Sequence, residues 1–471
     1  MLPWHRSVRG LSLNRLGRGA ASTPAPYNGG MKTIAIIGGG ASGLMAAVEA
    51  ALALREATAG PESNFPAPAY RNGDARDTHD RYEVVLYEAD DERIGRSILA
   101  TGNGRCNLSN ASIDVGLYRN ADFVAQVFAA LQGGDAGNPA LGRFADMGLM
   151  LREESEGRLY PMANKATSVL DALRNSAADL GVRIEVGKRA TQVDAPRPHD
   201  GKPGCFNIRF ADKTVGHVDQ VIVAVGGRAA ARIQLPAPLA CSDMRPVLGP
   251  LRLDRESVRV TRQLNNIRVR CGVHLLRGGK LVATEVGELL FRDYGASGVA
   301  VFNLSRLAEP GDTLSVDFFP TKSPDEVRAM LQSRLERMHA FASVRPTCER
   351  FLQGMVLPAV AQVLCKKIGL KPQVTLTNGN LEQLTKVLKS FDFTVEGIGD
   401  ERQCQVRRGG FPVSTFSPQT CEARDVAGLF VTGEALDVDA PCGGYNLQWA
   451  WASGMCAGRA AANNLMGCAN A

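Results

Sequence analysis

The chain has 471 residues, 45% hydrophobic and 22% charged, which suits two or three globular domains and excludes a disordered or fibrous protein. The formal charge of +6 is unevenly spread: Arg6, Arg9, Arg15 and Arg18 crowd the start with no acid among residues 1–30. The rest is near neutral, so no nucleic-acid partner is expected, and no run of ~18 apolar residues calls for a membrane partner.

Residues 1–30 have two readings. An Arg-rich, acid-free leader suits an organellar transit segment. Alternatively Met31 is the true start and residues 1–30 lie outside the protein. Met31 directly precedes the first apolar run, which favours the second reading and a cytoplasmic protein, with organellar import as the alternative.

Met31–Ile37 reads as a buried strand. Gly38-x-Gly40-x-x-Gly43 follows, and Leu44–Glu56 has helical spacing. This is the strand–turn–helix setting of a dinucleotide fingerprint. Gly38 allows the tight turn and Gly40 the close approach of a pyrophosphate. Gly43 and Ala47 keep helix and strand close, and Ala41 and Ser42 open the helix on whose N-terminus the anion rests. A polar insertion at 58–80 precedes a strand, Glu83–Tyr87, that ends at Glu88. That carboxylate suits a ribose and disfavours a 2′-phosphate, so FAD or NAD is expected over NADP. The insertion explains why Glu88 lies further on than the ~20 residues usual for this role.

The segment Thr101–Asn110 is dense in glycine and amides. Gly102, Asn103, Gly104 and Asn107 offer backbone N–H groups to phosphate or ribityl oxygens, and Arg105 offers a charge. A helix is predicted over 165–180, a strand over Arg183–Val186, and another over Asp219–Val225 that ends in Gly226-Gly227. From about Arg245 the pattern changes to antiparallel strands (Val269–Leu276, Lys280–Val286, Thr313–Phe318), then helices at 323–340, 346–368 and 379–389. The end returns to α/β, with strand Leu429–Thr432, Gly433, the acids Glu434 and Asp437, and a helix from about Asn446 and Leu447 to Leu465. Either acid is placed to bond ribityl hydroxyls. A helix start aimed at a flavin's N1–C2=O edge would stabilise the reduced, negative ring. No internal repeat is visible.

The expected fold is a doubly wound α/β FAD-binding domain over 31–244 and 401–471, with a β-rich and helical insertion over 245–400. The eleven cysteines contain no C-x-x-C, so no metal is expected and reduced cytosolic thiols are. None of the six histidines lies in a motif, so histidine acid–base chemistry is not expected.

The strings GGGASGLMAA, VVLYEAD, GRSILATGNGRCNLSN, EGRLYPMANKATSVLDAL, GELLFRDYGASG and GEALDVDAPCGGYNLQWAWASGMCAG resemble the BaiN-like (YhiN-like) bacterial flavoproteins, also called aminoacetone oxidase family FAD-binding enzymes. The resemblance covers about residues 31–465. It implies a two-dinucleotide-binding flavoprotein fold with an inserted β-rich domain. It also implies FAD contacts at Gly38, Gly40, Ser42, Gly43, Glu88, Gly102–Asn107, Gly433, Glu434, Asp437, Asn446 and Leu447, with Gly226 nearby. The activity attributed to the BaiN branch is flavin-dependent reduction of a conjugated steroid carbon–carbon double bond. One departure stands out. After Gly227 the family continues with a GSTGDG-like core and a helix, whereas Arg228–Met244 is short and lacks them.

The expected function is therefore FAD-dependent reduction of an electron-poor small molecule. NADH or NADPH would dock transiently, because no second G-x-G-x-x-G is present. Tyr445, Cys442 and Cys106 are the candidate proton donors, substrate contacts or reactive thiol. The rival readings are an amine oxidase using oxygen, a non-catalytic flavin sensor or scaffold, and a tRNA-modifying flavoprotein.

Overall fold

The structure is a computed structural model that describes residues 30–58, 82–131, 138–197, 204–343 and 346–467. The 1–30 segment, except Gly30, and the 58–80 insertion, except Thr58, lie outside the described residues.

The first strand, β1 (Lys32–Ile37), runs straight into α1 (Ala41–Thr58). Ile34–Ile37 are all buried, the continuous apolar run of a parallel strand covered on both faces. β2 (Tyr82–Tyr87) pairs with it in parallel, Lys32 opposite Tyr82. Helix α2 (Ala166–Asp179) leads to β3 (Arg183–Glu185), and β4 (Gln220–Val223) joins the other side of β1. A three-stranded antiparallel sheet (Ala190–Asp194, Phe206–Phe210, Val215–Val218) packs close by, with the Phe210 ring 4.8 Å from that of Tyr87.

The chain then leaves this unit for a closed six-stranded barrel. Its strands are β5 (Leu251–Leu253), β6 (Arg268–Arg277), β7 (Lys280–Arg292), β8 (Gly295–Ser297), β9 (Thr313–Asp317) and β10 (Phe391–Ile398). Gly278 and Gly279, both at positive φ (56° and 79°), make the two-residue turn between β6 and β7, the geometry such a hairpin prefers. β7 runs past the expected end at Val286, because Leu289 and Phe291 continue its inward row and are fully buried. Helix α3 (Val299–Ser305) packs on β7, and α4 (Pro324–Ala342), capped by a Ser323–Glu326 box, follows β9.

Two expectations need correction here. The single helix predicted over 346–368 is two, α5 (Cys348–Leu352) and α6 (Pro358–Lys367). Gly354 takes a φ of 77° between them, and Pro358, which lacks an N–H, starts a helix where it could not sit inside one. The resulting hairpin brings Cys348 and Cys365 together in a disulfide, so these two are not reduced thiols. Their wide spacing hid the pair, which exists only because α5 and α6 fold back on each other. Helix α7 (Asn380–Lys389) precedes β10.

β11 (Leu429–Val431) completes the parallel sheet, in the order β11-β4-β1-β2-β3. The last helix, α8 (Tyr445–Gly467), crosses α1 closely. A Cβ on Gly454 would run into the Ser42 carbonyl, and one on Gly458 would sit 2.5 Å from the Ala46 carbonyl oxygen. Buried apolar side chains form two clusters, one drawn from 34–239 and 411–465, the other from 251–395. Fully buried Asp439 ties them together. It accepts from Arg306 (2.7 Å) on the barrel side and from both prongs of Arg408 (2.8 and 2.9 Å). No helix of the described residues is long and apolar enough to cross a membrane.

Candidate functional site

The carboxyl ends of β1, β2, β4 and β11 meet along one edge of the sheet, the edge where open α/β sheets bind ligands. Gly38 donates to Tyr87 O (2.8 Å). At φ 109° its own Cβ would press on the Ala224 carbonyl, and a Cβ on Gly43 would strike Gly38 O. Packing alone therefore fixes these two glycines. Gly40 is different. A Cβ there would meet only Ser97 Oγ, at 3.4 Å, and its φ is unexceptional. Among the described residues nothing requires glycine at this point of the cradle, whereas a phosphate lying on the first turn of α1 would. Ala41 and Ser42, both buried, open that helix. The Glu88 carboxylate accepts from Gly39 N (2.8 Å) and Asp90 N (2.9 Å), so it lies at the turn.

The far end of the chain comes to the same place. Gly433, at φ 63°, leaves no room for a side chain beside Ser42 Oγ. It donates to Ser453 Oγ (2.9 Å), and its carbonyl accepts from Trp449 Nε1 (2.9 Å). The first hydrogen bond of α8 is Gln448 N to Gly444 O, so the N–H groups of Tyr445, Asn446 and Leu447 precede it and point out of the helix start. The Asn446 side chain clasps Ala440 through both its amide atoms (2.9 and 2.8 Å), which shapes the approach to that helix start.

The 101–110 loop closes a third side. Gly102, Asn103, Gly104 and Cys106 all take positive φ, a backbone held against its preference at the two non-glycine positions. With its amide oriented to satisfy both neighbours, Asn107 donates to Ser109 O and accepts from Gly444 N at 3.1 Å, joining this loop to the start of α8. Arg105 was expected to offer a free charge. Instead it pairs with Glu154, bonds Asn164 (2.5 Å) and stacks 4.1 Å over the Tyr160 ring.

The two late acids are also committed. Asp437 accepts from Arg119 (2.8 Å) and from Gly409 N (3.0 Å). Glu434 accepts from Arg407 N (2.7 Å) and lies against Gly227, and burial pushes its carboxyl up to about 7. Asp437 takes both bonds on Oδ1 and Glu434 takes its bond on Oε1, so each acid is anchored to the protein through one oxygen. The backbone that claims them, Arg407–Gly409, is remote in sequence and gave no local signal.

Of the three candidate reactive side chains, Cys106 is fully buried and its thiol is pushed up to about 11 by desolvation. Burial pushes Cys442 up to about 12. Both thiols stay protonated at neutral pH, so the structure does not support Cys106 as a reactive nucleophile. The Tyr445 hydroxyl donates to Ser112 O (3.3 Å). Cys442 and Tyr445 do share a cleft of about 390 Å³, with Asn110 and Arg158 on one wall. Glu285 and Asn303, from β7 and α3, form the other wall. The sequence reading missed both. A larger cavity of about 780 Å³ opens past Gly226 (φ 70°) and Gly227. It is walled by Arg228, Arg232, Ser242 and Arg407, where the chain between Arg228 and Met244 is short. Among the described residues, no group of His, Cys, Asp and Glu is placed to hold a metal ion.

A family model described as the HI0933-like protein Rossmann domain matches residues 74–460. A 3-dehydro-bile acid delta(4,6)-reductase of Clostridium scindens is 32% identical over 92% of this chain and 99% of that protein. A Ribosomal RNA dihydrouridine synthase of Haemophilus influenzae is 25% identical over 77% of this chain and 88% of its own. Among solved structures, a 3-ketosteroid-delta4-(5alpha)-dehydrogenase of Rhodococcus jostii aligns over 93% of this chain and 99% of its own, at 16% identity and a TM-score of 0.40.

Proposed function

The chain belongs to the HI0933-like Rossmann-domain family and is an oxidoreductase, and from that premise we propose that it uses FAD to reduce an electron-poor, conjugated carbon–carbon double bond with NADH or NADPH as donor. The observation that carries this reading is the seating of Gly433 on Ser42. It brings the end of β11 onto the first turn of α1, so that the two ends of the chain build one site. The diphosphate would lie on Gly40 and the first turn of α1, the ribose beside Glu88, and the ring against the N–H groups of Asn446 and Leu447. FAD supplies the hydride chemistry. The chain binds and orients it, and the α8 start holds negative charge at the ring edge.

The substrate class rests on the relative named as a bile acid reductase, similar over nearly the full length of both chains. Anaerobic mixing with NADH or NADPH is expected to bleach the flavin's visible band, and an unsaturated 3-keto steroid to restore it. A flavin that neither donor reduces would rule out the nicotinamide-driven reaction. Restoration by oxygen alone, with peroxide released when amines are supplied, would favour the oxidase. A second reading, ribosomal RNA as substrate, is favoured by the relative of that name. The near-neutral body argues for the small molecule, and dihydrouridine lost from ribosomal RNA on deletion of the gene would decide for RNA.

A further inference from the structure

The cleft beside the α8 start has one wall from each unit of the molecule. On the barrel wall, Glu285, Gly287, Leu289 and Phe291 share a face of β7, since side chains alternate along a strand. Leu289 and Phe291 on that row are fully buried, and Gly287 lies under Ala300 of α3, 3.6 Å from where a Cβ would be. Glu285 is therefore a carboxyl on the inward row of a barrel strand, set where α3 stops covering it and the cleft begins. An acid in such a row is costly unless it is hydrogen-bonded. It is held: Asn303 of α3 donates to Glu285 Oε2 (3.1 Å), and its own oxygen accepts from Cys442 N (2.9 Å). This bridge fixes the carboxyl against the turn that leads into α8.

The neighbouring cations are committed to other acids. Arg306, the nearest cation of the barrel side, is committed to Asp439 (2.7 Å). Glu156, across the cleft, adds negative charge and is itself paired with Arg158. Glu153 and Tyr445 also line the cleft, and Cys442 there is a protonated thiol. Burial raises the Glu285 carboxyl above its ordinary value, and Glu156 adds to this against the Asn303 bond and Arg306.

We propose that Glu285 is the proton donor of the reduction. This rests on the reading above. FAD, held at the two glycine turns and oxidised in the step, would supply the hydride to the β-carbon of the conjugated double bond. The Glu285 carboxylic acid gives its proton to the α-carbon, so the C=C becomes CH–CH, and the carboxylate regains its proton from water. Burial makes both cysteines poorer acids, with thiols at about 11 and 12, and the Tyr445 hydroxyl is tied to Ser112 O.

The test is Glu285→Gln, with Glu285→Asp as the conservative partner, in the FAD-loaded protein. Flavin reduction by NADH or NADPH should proceed as in wild type. Reoxidation by an unsaturated 3-keto steroid should slow by about 100-fold or more, the scale of a lost general acid, and Glu285→Asp should recover part of it. In flavin-free protein, an infrared carboxyl band titrating above the ordinary glutamate range should vanish in Glu285→Gln. Wild-type reoxidation in Glu285→Gln, or no such band, overturns the assignment. A wild-type protein that is reduced but accepts no alkene overturns the reading it rests on, and the assignment falls with it.

Discussion

Gly40 separates what the fold needs from what a ligand needs. Because its missing side chain has room beside Ser97 Oγ, Gly40→Ala should leave the flavin-free protein with an unchanged melting temperature. It should weaken FAD binding at least tenfold, about 1.4 kcal/mol, as measured by titration of flavin absorbance. Equal loss of stability and affinity would mean that the turn itself was broken. Glu434 carries a charge prediction. Its carboxyl is raised from the ordinary 4.5 to about 7 by burial, so the folded protein binds this proton more tightly than the unfolded chain. The contribution to stability is then greatest below pH ~4.5 and falls as pH rises towards 7, after which the loss is complete. Glu434→Gln keeps an acceptor for Arg407 N without the charge. In flavin-free protein it should be more stable than wild type at pH 8, by about 1–3 kcal/mol, and much less so at pH 5. Urea unfolding at both pH values measures this, and a constant difference would refute it. The glycines of the first turn were legible because each has a local job. The partners of Arg105, Glu434 and Asp437 were not, because Glu154, Arg407 and Arg119 lie far away in sequence and meet them only in the fold.

At the scale of elements, the crossing of α1 and α8 does more than fill the core. Gly454 presses on the Ser42 carbonyl, and Ser42 is the residue that Gly433 rests on. A side chain at 454 would separate the helices and part the two glycine turns together. Gly454→Val should therefore lower stability by about 1–3 kcal/mol, the usual cost of overpacking, and the surviving folded protein should hold flavin more weakly. Gly454→Ala should show both effects to a smaller degree. A melt and a flavin titration on each variant check the coupling, and lost stability with full flavin affinity would show that the crossing does not govern the site. Most elements were readable from period and punctuation, among them β1, α1, β2, α2 and α8. The α5–α6 break was misread, because the apolar pattern on both sides of Gly354 and Pro358 is continuous even though the backbone cannot be. Glu285 was overlooked for a related reason. In sequence it is one charge among several on β7, and only the burial of Leu289 and Phe291 shows that it faces inward.

At the scale of the whole molecule, two hydrophobic clusters share no side chain, and Asp439, between Arg306 and Arg408, is one of the links between the units that hold them. The barrel also begins and ends at one point, where Gly399 N donates to Pro250 O at 2.8 Å. Strands β5 and β10, the first and last of the barrel, pair with each other. An insertion whose ends meet can be cut out without parting its core, and its length, about 150 residues, is ordinary for a domain. A polypeptide of residues 249–400 should therefore fold alone. It should melt in one cooperative step and bind no FAD, since every glycine turn of the cradle is outside it. The cost of excision falls on Arg306, which loses Asp439 but becomes solvent-exposed, so its charge is hydrated and not left buried without a partner. Glu285 and Asn303 would keep their hydrogen bond in the isolated barrel, while the Asn303 bond to Cys442 N is lost. Circular dichroism and a thermal melt of the fragment decide the matter. A fragment without cooperative unfolding would mean that the barrel depends on the flavin unit for its core, and that the two clusters are one folding unit joined through Asp439.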